Sequence, residues 1–156
     1  MNSPTSSSRP TPGFSLKGKV VVLTGGAGLY GRGLAHQIAD AGATLILASR
    51  QVEALQSVVD EERALGHDVH CYALDQGDER SILALRDAVV KRFGRVDGLV
   101  NNAVARPMKS LDAPLSDWEA SMKVNATGLF AISRAFADVM ATQGTASIVN
   151  IGSIQG

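Results

Sequence analysis

Apolar residues follow two different rhythms along this chain. Short continuous apolar runs alternate with longer segments in which apolar residues recur every three or four positions. Continuous runs are typical of strands that are covered on both faces of a parallel sheet, whereas the longer period is typical of amphipathic helices. The continuous runs predict five strands, over residues 20–23, 44–48, 69–74, 96–100 and 146–151.

The segments between these strands predict helices, and glycines mark where several of them end. The apolar positions of three helical faces are 34, 35, 38 and 39; 52, 55, 58, 59 and 65; and 82, 85, 88 and 89. Gly42, Gly66 and Gly94 follow these faces and predict the helix ends. Ser116 and Glu119 have the spacing of a capping box, so a longer helix is predicted from there to about residue 142, with a break near residues 125–128.

Strands that alternate with helices predict right-handed crossovers and a doubly wound α/β fold with a parallel sheet. The domain is predicted over residues 14–156, because residues 1–13 are rich in Ser, Pro and Thr and should form a disordered tail. In such a sheet, a ligand binds beyond the C-terminal ends of the strands. The glycine-rich sequence after the first strand, residues 101–102 and residues 151–153 all fall at such ends.

The composition narrows the functional classes. The 156 residues include 15 basic and 15 acidic residues, and aromatic residues make up 4%. A neutral chain with few aromatic side chains gives no support to a nucleic-acid or acidic-membrane partner. The sequence contains neither the apolar core of a signal peptide nor an apolar segment long enough to span a membrane. The single cysteine, Cys71, suits a reducing compartment. We therefore expect a cytoplasmic protein. Apart from the adjacent Cys71, no further Cys or His lies near His67 and His70 in the sequence, so no metal site is expected.

A glycine-rich loop directly follows the first strand. It reads T-G-G-A-G-L-Y-G over residues 24–31, and Gly26, Gly28 and Gly31 satisfy the pattern G-x-G-x-x-G. Glycine lets the backbone approach a pyrophosphate, and the next helix presents its N-terminal amides and positive dipole end to that group. The preceding strand and the following helix supply the context that this dinucleotide-binding pattern requires. The alternative is a tight turn without a ligand.

With several further motifs, this loop resembles the short-chain dehydrogenase/reductase family. The chain opens with L-K-G-K-V-V-V-L-T-G over residues 16–25, Asp75 follows the third strand, and N-N-A ends the fourth at residues 101–103. K-V-N-A-T-G follows at residues 123–128, and I-V-N-I-G-S at residues 148–153. The resemblance covers about residues 14–156. It implies a Rossmann-type doubly wound sheet with strand order 3-2-1-4-5, truncated after strand five, and hydride transfer between a nicotinamide cofactor and a carbonyl or alcohol.

The resemblance also implies roles for individual residues. Asn125 and Ser153 match the catalytic Asn and Ser; a helix-interior Asn and a simple turn Ser are the alternatives. Asp75 matches an acid that helps to hold the adenine ring. The residues expected to bind the cofactor are Thr24, Gly25, Gly28, Leu29, Tyr30, Gly31, Ser49, Arg50, Asp75, Asn101, Asn102, Ala103 and Ile151. For the two asparagines, turn formation at a strand end is the alternative role.

Two smaller departures from the family pattern lie near the expected site. The single-domain members usually read T-G-x-x-x-G-x-G, whereas here Leu29 takes the sixth position and the loop reads T-G-x-x-G-x-x-G, as in longer members. Pyrophosphate contacts should survive, with Leu29 or Tyr30 lining the site. In addition, Val104 rather than glycine follows N-N-A.

The larger departure concerns the family's acid–base pair, a Tyr and a Lys in Y-x-x-x-K. Tyr30 and Tyr72 are followed four places later by Leu34 and Gln76, so the motif is absent from these 156 residues. We therefore expect that the chain stops inside the family's domain and has little activity by itself. A non-catalytic nucleotide-binding module or pseudoenzyme is the alternative if the natural chain ends here.

The end of the second strand predicts NADP(H) rather than NAD(H). Ser49 stands where an NAD site usually places an acid for the ribose 2′-hydroxyl, and Arg50 follows it. A guanidinium can bind a 2′-phosphate, and Arg32 could add a second positive charge. The alternative is that Arg50 is an exposed residue of the next helix.

The expected partners are a small carbonyl or alcohol substrate and, in the full-length protein, further copies of the chain in a homo-oligomer, either a dimer or a tetramer. The fifth strand is apolar and should lie at a sheet edge, so the isolated chain is expected to self-associate.

Overall fold

The computed structural model describes residues 14–152, and the predicted tail over residues 1–13 and Ser153 lie outside the described residues. Strands and helices alternate along the chain, with a π-helix between the last two α-helices. In chain order the elements are β1 (Val20–Thr24), α1 (Leu29–Asp40), β2 (Thr44–Ser49), α2 (Val52–Ala64), β3 (Val69–Ala73), α3 (Glu79–Phe93), β4 (Gly98–Asn101), α4 (Leu115–Met122), the π-helix (Lys123–Gly128), α5 (Leu129–Ala141) and β5 (Ser147–Asn150).

The five strands form one parallel sheet in the order β3-β2-β1-β4-β5, which confirms the predicted order. β1 lies at the centre, where Val22 is paired with Ile46 of β2 on one side and Leu99 of β4 on the other. The chain therefore leaves β1 toward one edge and later returns to its other side. This reversal creates a crevice at the C-terminal ends of β1 and β4, which is where such folds bind ligands.

Helices cover both faces of the sheet, which explains the continuous apolar runs in the sequence. Every residue of β1 is buried. On one face, α1 and α2 pack against a layer that includes Val21, Leu23, Ala35, Ala39, Leu45, Leu47, Leu55, Val58 and Val59. On the other face, α3 and α5 pack against a layer that includes Val20, Val22, Ile46, Ile82, Leu85, Val89, Leu99, Ile132 and Phe136.

At the N-terminal ends of the strands, opposite the crevice, Asp97 connects the start of β1 to the residues just before β4. Its buried carboxylate accepts hydrogen bonds from the Arg95 guanidinium, from Lys19 Nζ at 3.1 Å and from the Val20 N–H at 3.0 Å. Burial raises the pKa of Asp97, but these hydrogen bonds and the positive charge of Arg95 outweigh it and lower the pKa to about 2. The carboxylate is therefore ionised at neutral pH.

The glycines predicted to end helices do so. Gly42, Gly66 and Gly94 have φ values of +94°, +90° and +75°, a region that glycine enters without steric cost. The predicted capping box at Ser116 and Glu119 is wrong, since α4 begins one residue earlier and its N-cap is Pro114, without a side-chain hydrogen bond. Pro114 stands at the N-cap with φ −57° and ψ 148°, a position where its missing N–H costs no helical hydrogen bond.

The last part of the described chain contains a helical irregularity and an open sheet edge. The predicted break near residues 125–128 is the π-helix, a form that often occurs at functional sites. β5 lies at one edge of the sheet, and all four of its residues are exposed. Within residues 14–152, no helix is both long and apolar enough to cross a membrane.

Candidate functional site

An open cavity of about 980 Å³ lies at the C-terminal ends of the strands. It brings together most of the residues predicted for the site, namely Gly25, Gly28, Leu29, Tyr30, Gly31, Ser49, Arg50, Asp75, Asn102, Ala103, Asn125 and Ile151. Thr24 and Asn101 do not line the cavity, and Ser153 lies outside the described residues. The site is therefore assembled from four strand ends, the glycine loop and the π-helix.

The glycine loop has no room for side chains at two positions. Gly25 has a φ of +72°, and a Cβ there would lie 2.9 Å from the Cα of Ala103. A Cβ on Gly31 would collide with the carbonyl oxygen of Gly25. The loop backbone therefore packs directly against the first turn of α1 and against the segment after β4.

The N-terminus of α1 is available for an anion. Gly28 is its N-cap and forms no side-chain capping hydrogen bond. The first amides of a helix have no partner within the helix, and they carry the positive end of its dipole. Leu29 and Tyr30 are exposed here, at 96% and 66%. A backbone that packs closely and uncapped amides fit a pyrophosphate group.

Thr24 and Asn102 join the ends of β1 and β4. The buried Thr24 hydroxyl accepts the backbone N–H groups of Asn102 and Ala103, at 3.1 and 2.9 Å. In return, Asn102 Nδ2 donates to the carbonyl oxygens of Thr24 and Gly25, at 3.1 and 3.0 Å. Thr24 thus fixes the backbone of Asn102 and Ala103 without lining the cavity, and the Asn102 side chain fixes the start of the glycine loop.

The two adjacent asparagines serve different parts of the fold. Asn101 is buried, and its Nδ2 donates to Ser133 Oγ at 3.1 Å and to Asn150 Oδ1 at 2.8 Å. These contacts bind β4 to α5 and β5, away from the cavity. The structure therefore brings Asn102, but not Asn101, to the wall of the cavity.

At the end of β2, Ser49 and Arg50 line the cavity wall. Ser49 Oγ accepts the Gln51 N–H at 3.2 Å and donates to the Gln51 carbonyl oxygen, so it closes a local turn. Arg50 lies in this turn, before the N-cap of α2, and is exposed. Among residues 14–152, no carboxylate is paired with the Arg50 guanidinium. Arg32, in contrast, binds Glu61 and Ser57 on α2, which directs its side chain away from this turn.

Asp75 contributes a carboxylate at the end of β3. Its Oδ1 accepts the Gly77 N–H at 2.9 Å, and its own N–H donates to Ser81 Oγ at 2.9 Å. These bonds fix the residue at the start of α3 while its side chain remains exposed. The carboxylate is therefore held in place at the cavity.

Asn125 connects the π-helix to the segment after β4. Its Nδ2 donates to the Ala105 carbonyl oxygen at 2.7 Å and to Ser121 Oγ at 3.1 Å, and its Oδ1 accepts the Ala105 N–H at 2.8 Å. The side chain thus satisfies the backbone of a neighbouring segment rather than that of its own helix.

Several residues at the cavity were not predicted. Val104, Ala105, Arg106, Val124, Gln76 and Gly152 line it. The contact of Ala105 is through its backbone, which leaves no signal in the sequence. Val124 directly precedes Asn125, and this adjacency to a predicted site residue could have indicated that Val124 lines the cavity.

Comparison with known proteins agrees with this geometry. The family model described as short chain dehydrogenase matches residues 19–156. The 3-oxoacyl-(acyl-carrier-protein) reductase FabG of Thermotoga maritima is 35% identical over 142 residues, which are 90% of this chain and 58% of that protein. Among solved structures, a metagenomic short-chain oxidoreductase in complex with NADP is 32% identical with a TM-score of 0.85, covering 89% of this chain and 64% of that one. NAD⁺-bound xylitol dehydrogenase is 31% identical with a TM-score of 0.85, covering 90% of this chain and 55% of that one.

The chain spans between about half and two thirds of the length of these relatives. Two of them are described as complexes, one with NADP and the other with NAD⁺. The cofactors of these two proteins thus include both the phosphorylated and the unphosphorylated nicotinamide nucleotide.

Proposed function

The chain belongs to the short-chain dehydrogenase family, and on that premise we propose that it forms the nucleotide-binding part of an oxidoreductase that transfers hydride between NADP(H) and a carbonyl or alcohol substrate. The cavity at the strand ends is the observation that supports this most directly. It combines a close-packed glycine loop, an uncapped helix N-terminus, a cationic residue that has no carboxylate partner among residues 14–152, and two asparagine side chains.

Each part of the cavity suits a different part of the cofactor. The amides at the start of α1 and the glycine loop would hold the pyrophosphate. Ser49 and Arg50 would hold the ribose 2′-phosphate, and Asp75 the adenine. Asn102, Ala103 and Ile151 would flank the nicotinamide end.

The bound nicotinamide would supply or accept the hydride. The protein's own task is to orient the substrate and to hold a proton beside its oxygen. Ser153 would donate a hydrogen bond to that oxygen, and preorganised donors of this kind stabilise charge as it develops. Asn125 would keep the loop at Ala105 in place along the substrate side. The Tyr and Lys that the family uses as acid and base are not among these 156 residues.

The preference for NADP(H) rests on the difference between two arginines. Arg32 is bound to Glu61 at 2.8 Å, whereas Arg50 faces the cavity and has no carboxylate partner within the described part of the chain. A guanidinium that lies just before a helix N-terminus is repelled by the helix dipole unless an anion is nearby. A 2′-phosphate at this position would provide that anion.

The second candidate function is binding without catalysis. The cavity by itself supports it, because the described residues that line the cavity suit nucleotide binding and do not include an acid–base pair of the Y-x-x-x-K type, a group that contributes about 10²–10⁴-fold to the rate. A redox sensor or pseudoenzyme would use the same cavity and would bind the nucleotide without turnover.

We further propose that the full-length protein is a homo-oligomer, either a dimer or a tetramer. Large apolar side chains are exposed on α4 and at the start of α5, namely Leu115, Trp118, Met122 and Phe130. Oligomer interfaces favour such residues at their centres.

Two measurements test the proposed function. The chain is titrated with NADPH and NADH while nicotinamide fluorescence is followed, and the full gene product is then assayed for hydride transfer with a panel of ketones and alcohols. Saturable binding together with turnover supports the oxidoreductase. Binding without turnover in the full gene product would favour the non-catalytic module, and absence of binding to either nucleotide would overturn both.

A further inference from the structure

Two histidines and a glutamate meet between α1 and α2, away from the cavity. His36 lies on α1 about two turns, or about 10 Å, beyond Leu29, where that helix begins at the cavity. Glu62 lies near the end of α2, and His67 follows in the turn before β3. The cluster therefore belongs to the end of the two helices that is remote from the proposed cofactor.

The three side chains point toward one another. His36 Nδ1 lies 3.2 Å from both carboxylate oxygens of Glu62, and His67 Nδ1 lies 2.7 Å from Glu62 Oε2. All three groups offer a ligand atom within 4.8 Å of the others. The two imidazole centroids are 5.9 Å apart, with their planes inclined at 53°. Two imidazole nitrogens and one carboxylate oxygen thus lie close enough together to contact a single ion.

The protein holds this arrangement in place. Glu62 is buried, with 6% of its surface exposed. His67 is fixed by a hydrogen bond from its own N–H to the Glu62 carbonyl oxygen at 3.1 Å. The side chain of His36 is 38% exposed, which leaves a path from solvent.

The second nitrogen of His67 has a carboxylate near it. His67 Nε2 lies 3.9 Å from Asp40 Oδ1. Histidines that bind metals usually present one nitrogen to the metal and the other to a carboxylate or carbonyl group that orients the ring. Asp40 is the carboxylate near that nitrogen, and at 3.9 Å it would have to move closer to form this hydrogen bond when the metal binds.

We propose that His36, Glu62 and His67 form a binding site for a divalent transition-metal ion of the Zn²⁺ type, with Asp40 orienting His67. Imidazole and carboxylate are ligands that Zn²⁺ prefers, and two histidines with one glutamate leave a fourth position for water. On binding, the metal would take the place of the hydrogen bonds between the two Nδ1 atoms and Glu62, and each imidazole would carry its proton on Nε2. The ion would cross-link α1 to the end of α2 and act on stability, since no cavity residue contacts it.

The chain offers a matched control for the test. It has three histidines, of which His70 is bound to Asp68 and packs against Phe93 outside the cluster. The full chain, freed of any polyhistidine tag, is titrated with Co²⁺ by visible absorption and with Zn²⁺ by calorimetry, and its thermal unfolding is followed with and without Zn²⁺. His36→Gln and His67→Gln are compared with His70→Gln.

We expect one ion per chain, a tetrahedral Co²⁺ spectrum and a rise in Tm with Zn²⁺, because a ligand that binds only the folded state stabilises it. His36→Gln and His67→Gln should weaken binding by at least about tenfold and abolish the rise in Tm, whereas His70→Gln should preserve both. Asp40→Asn should weaken binding more mildly.

A second measurement leaves His36, Glu62 and His67 unchanged, so it does not depend on whether substitutions of these residues fold. Nitrogen-15 NMR of the His70→Gln protein leaves only the two cluster imidazoles visible, and Zn²⁺ should shift Nδ1 of both. Lack of binding at millimolar Zn²⁺, no shift at Nδ1, or binding that survives in both His36→Gln and His67→Gln would overturn the site and leave Glu62 as a hydrogen-bonded contact only.

Discussion

The side-chain amide of Asn125 forms two hydrogen bonds with the backbone of Ala105, donating to its carbonyl oxygen at 2.7 Å and accepting its N–H at 2.8 Å. An amide is the side-chain group that can satisfy a donor and an acceptor on one residue at the same time. The π-helix and the segment after β4 are therefore joined by a contact that the carboxylate isostere cannot reproduce.

Replacing this amide should loosen the segment. Asn125→Asp keeps the shape but places a negative oxygen against the Ala105 carbonyl, so we expect a loss of stability of about 1–3 kcal/mol. Urea unfolding measures the loss, and amide hydrogen exchange at Ala105 should accelerate. The control is Thr127→Ala, an exposed change in the same π-helix, which should shift stability by no more than about 0.5 kcal/mol. Equal effects of the two substitutions would contradict the role of Asn125.

Two glycines of α1 provide a second matched pair. A Cβ on Gly31 would collide with the Gly25 carbonyl oxygen, whereas a Cβ on Gly33 meets nothing within 4 Å. Gly31→Ala should therefore cost about 1–3 kcal/mol and weaken NADPH binding, because the loop must move. Gly33→Ala should gain up to about 1 kcal/mol from helix propensity without affecting the nucleotide. Thermal unfolding and NADPH titration of both variants check this, and similar behaviour of the two would refute it.

The proposed cofactor preference can be tested at the two arginines. Arg50→Ala should weaken NADPH binding by about tenfold to a hundredfold, the equivalent of a charge-assisted hydrogen bond, and leave NADH binding nearly unchanged. Arg32→Ala removes the same charge from a side chain that is bound to α2, so it should not discriminate between the nucleotides. Affinities measured for both nucleotides decide the point. An equal loss for NADPH and NADH in Arg50→Ala would mean that this residue does not bind the 2′-phosphate.

Asp97 should make the protein sensitive to acid. Its pKa in the folded protein is about 2, below the ordinary value of 3.8, so the folded state holds the ionised form more favourably than the unfolded chain does. The resulting stability, on the order of 2 kcal/mol, is fully present above about pH 4 and is lost as the pH falls through about 2. Urea unfolding across this range should show a shallower decline in Asp97→Asn than in the parent chain. Identical pH profiles would contradict the assignment.

The exposed edge of the sheet gives a prediction about association. Ile148 and Val149 of β5 are exposed at an edge whose backbone groups can pair with another strand. Val149→Lys should reduce self-association, because charge on an edge strand opposes such pairing. Ala141→Lys adds the same charge at the exposed end of α5 and should not. Light scattering over a concentration series compares them, and a parent chain that remains monomeric throughout would exclude edge pairing.

The apolar pattern was sufficient for the strands and for most helix boundaries, because strands buried on both faces form continuous apolar runs and α1, α2 and α3 each end at a glycine. The strand order came instead from the family resemblance. The sequence was not sufficient for the start of α4, where Pro114 and not Ser116 decides the boundary. It was also insufficient for Asn101 and Asn102, since neighbouring residues at a strand end point in opposite directions. Asn101 turns away from the cavity and donates a hydrogen bond to Asn150 of β5, a strand far from it in the sequence.

The site residues that were missed share a physical cause. Ala105 acts through its backbone, which has the same chemistry in every residue. His36 and His67 are far apart in sequence and meet only because α1 and α2 pack side by side on one face of the sheet. Spacing rules that compare nearby histidines group His67 with His70 instead.

The hydrogen bonds between Thr24 and Asn102 have a consequence for the entropy of binding. The Asn102 side chain donates a hydrogen bond to the Gly25 carbonyl oxygen. Three residues further along the chain, the N–H of Ala105 donates to Asn125. The loop expected to meet the phosphates and the segment expected to meet the substrate thus belong to one ordered unit before any ligand arrives. Ordering a flexible loop on binding costs conformational entropy. When the loop is already ordered in the folded protein, binding does not incur this loss. The chain therefore offers its ligand a preorganised receptor.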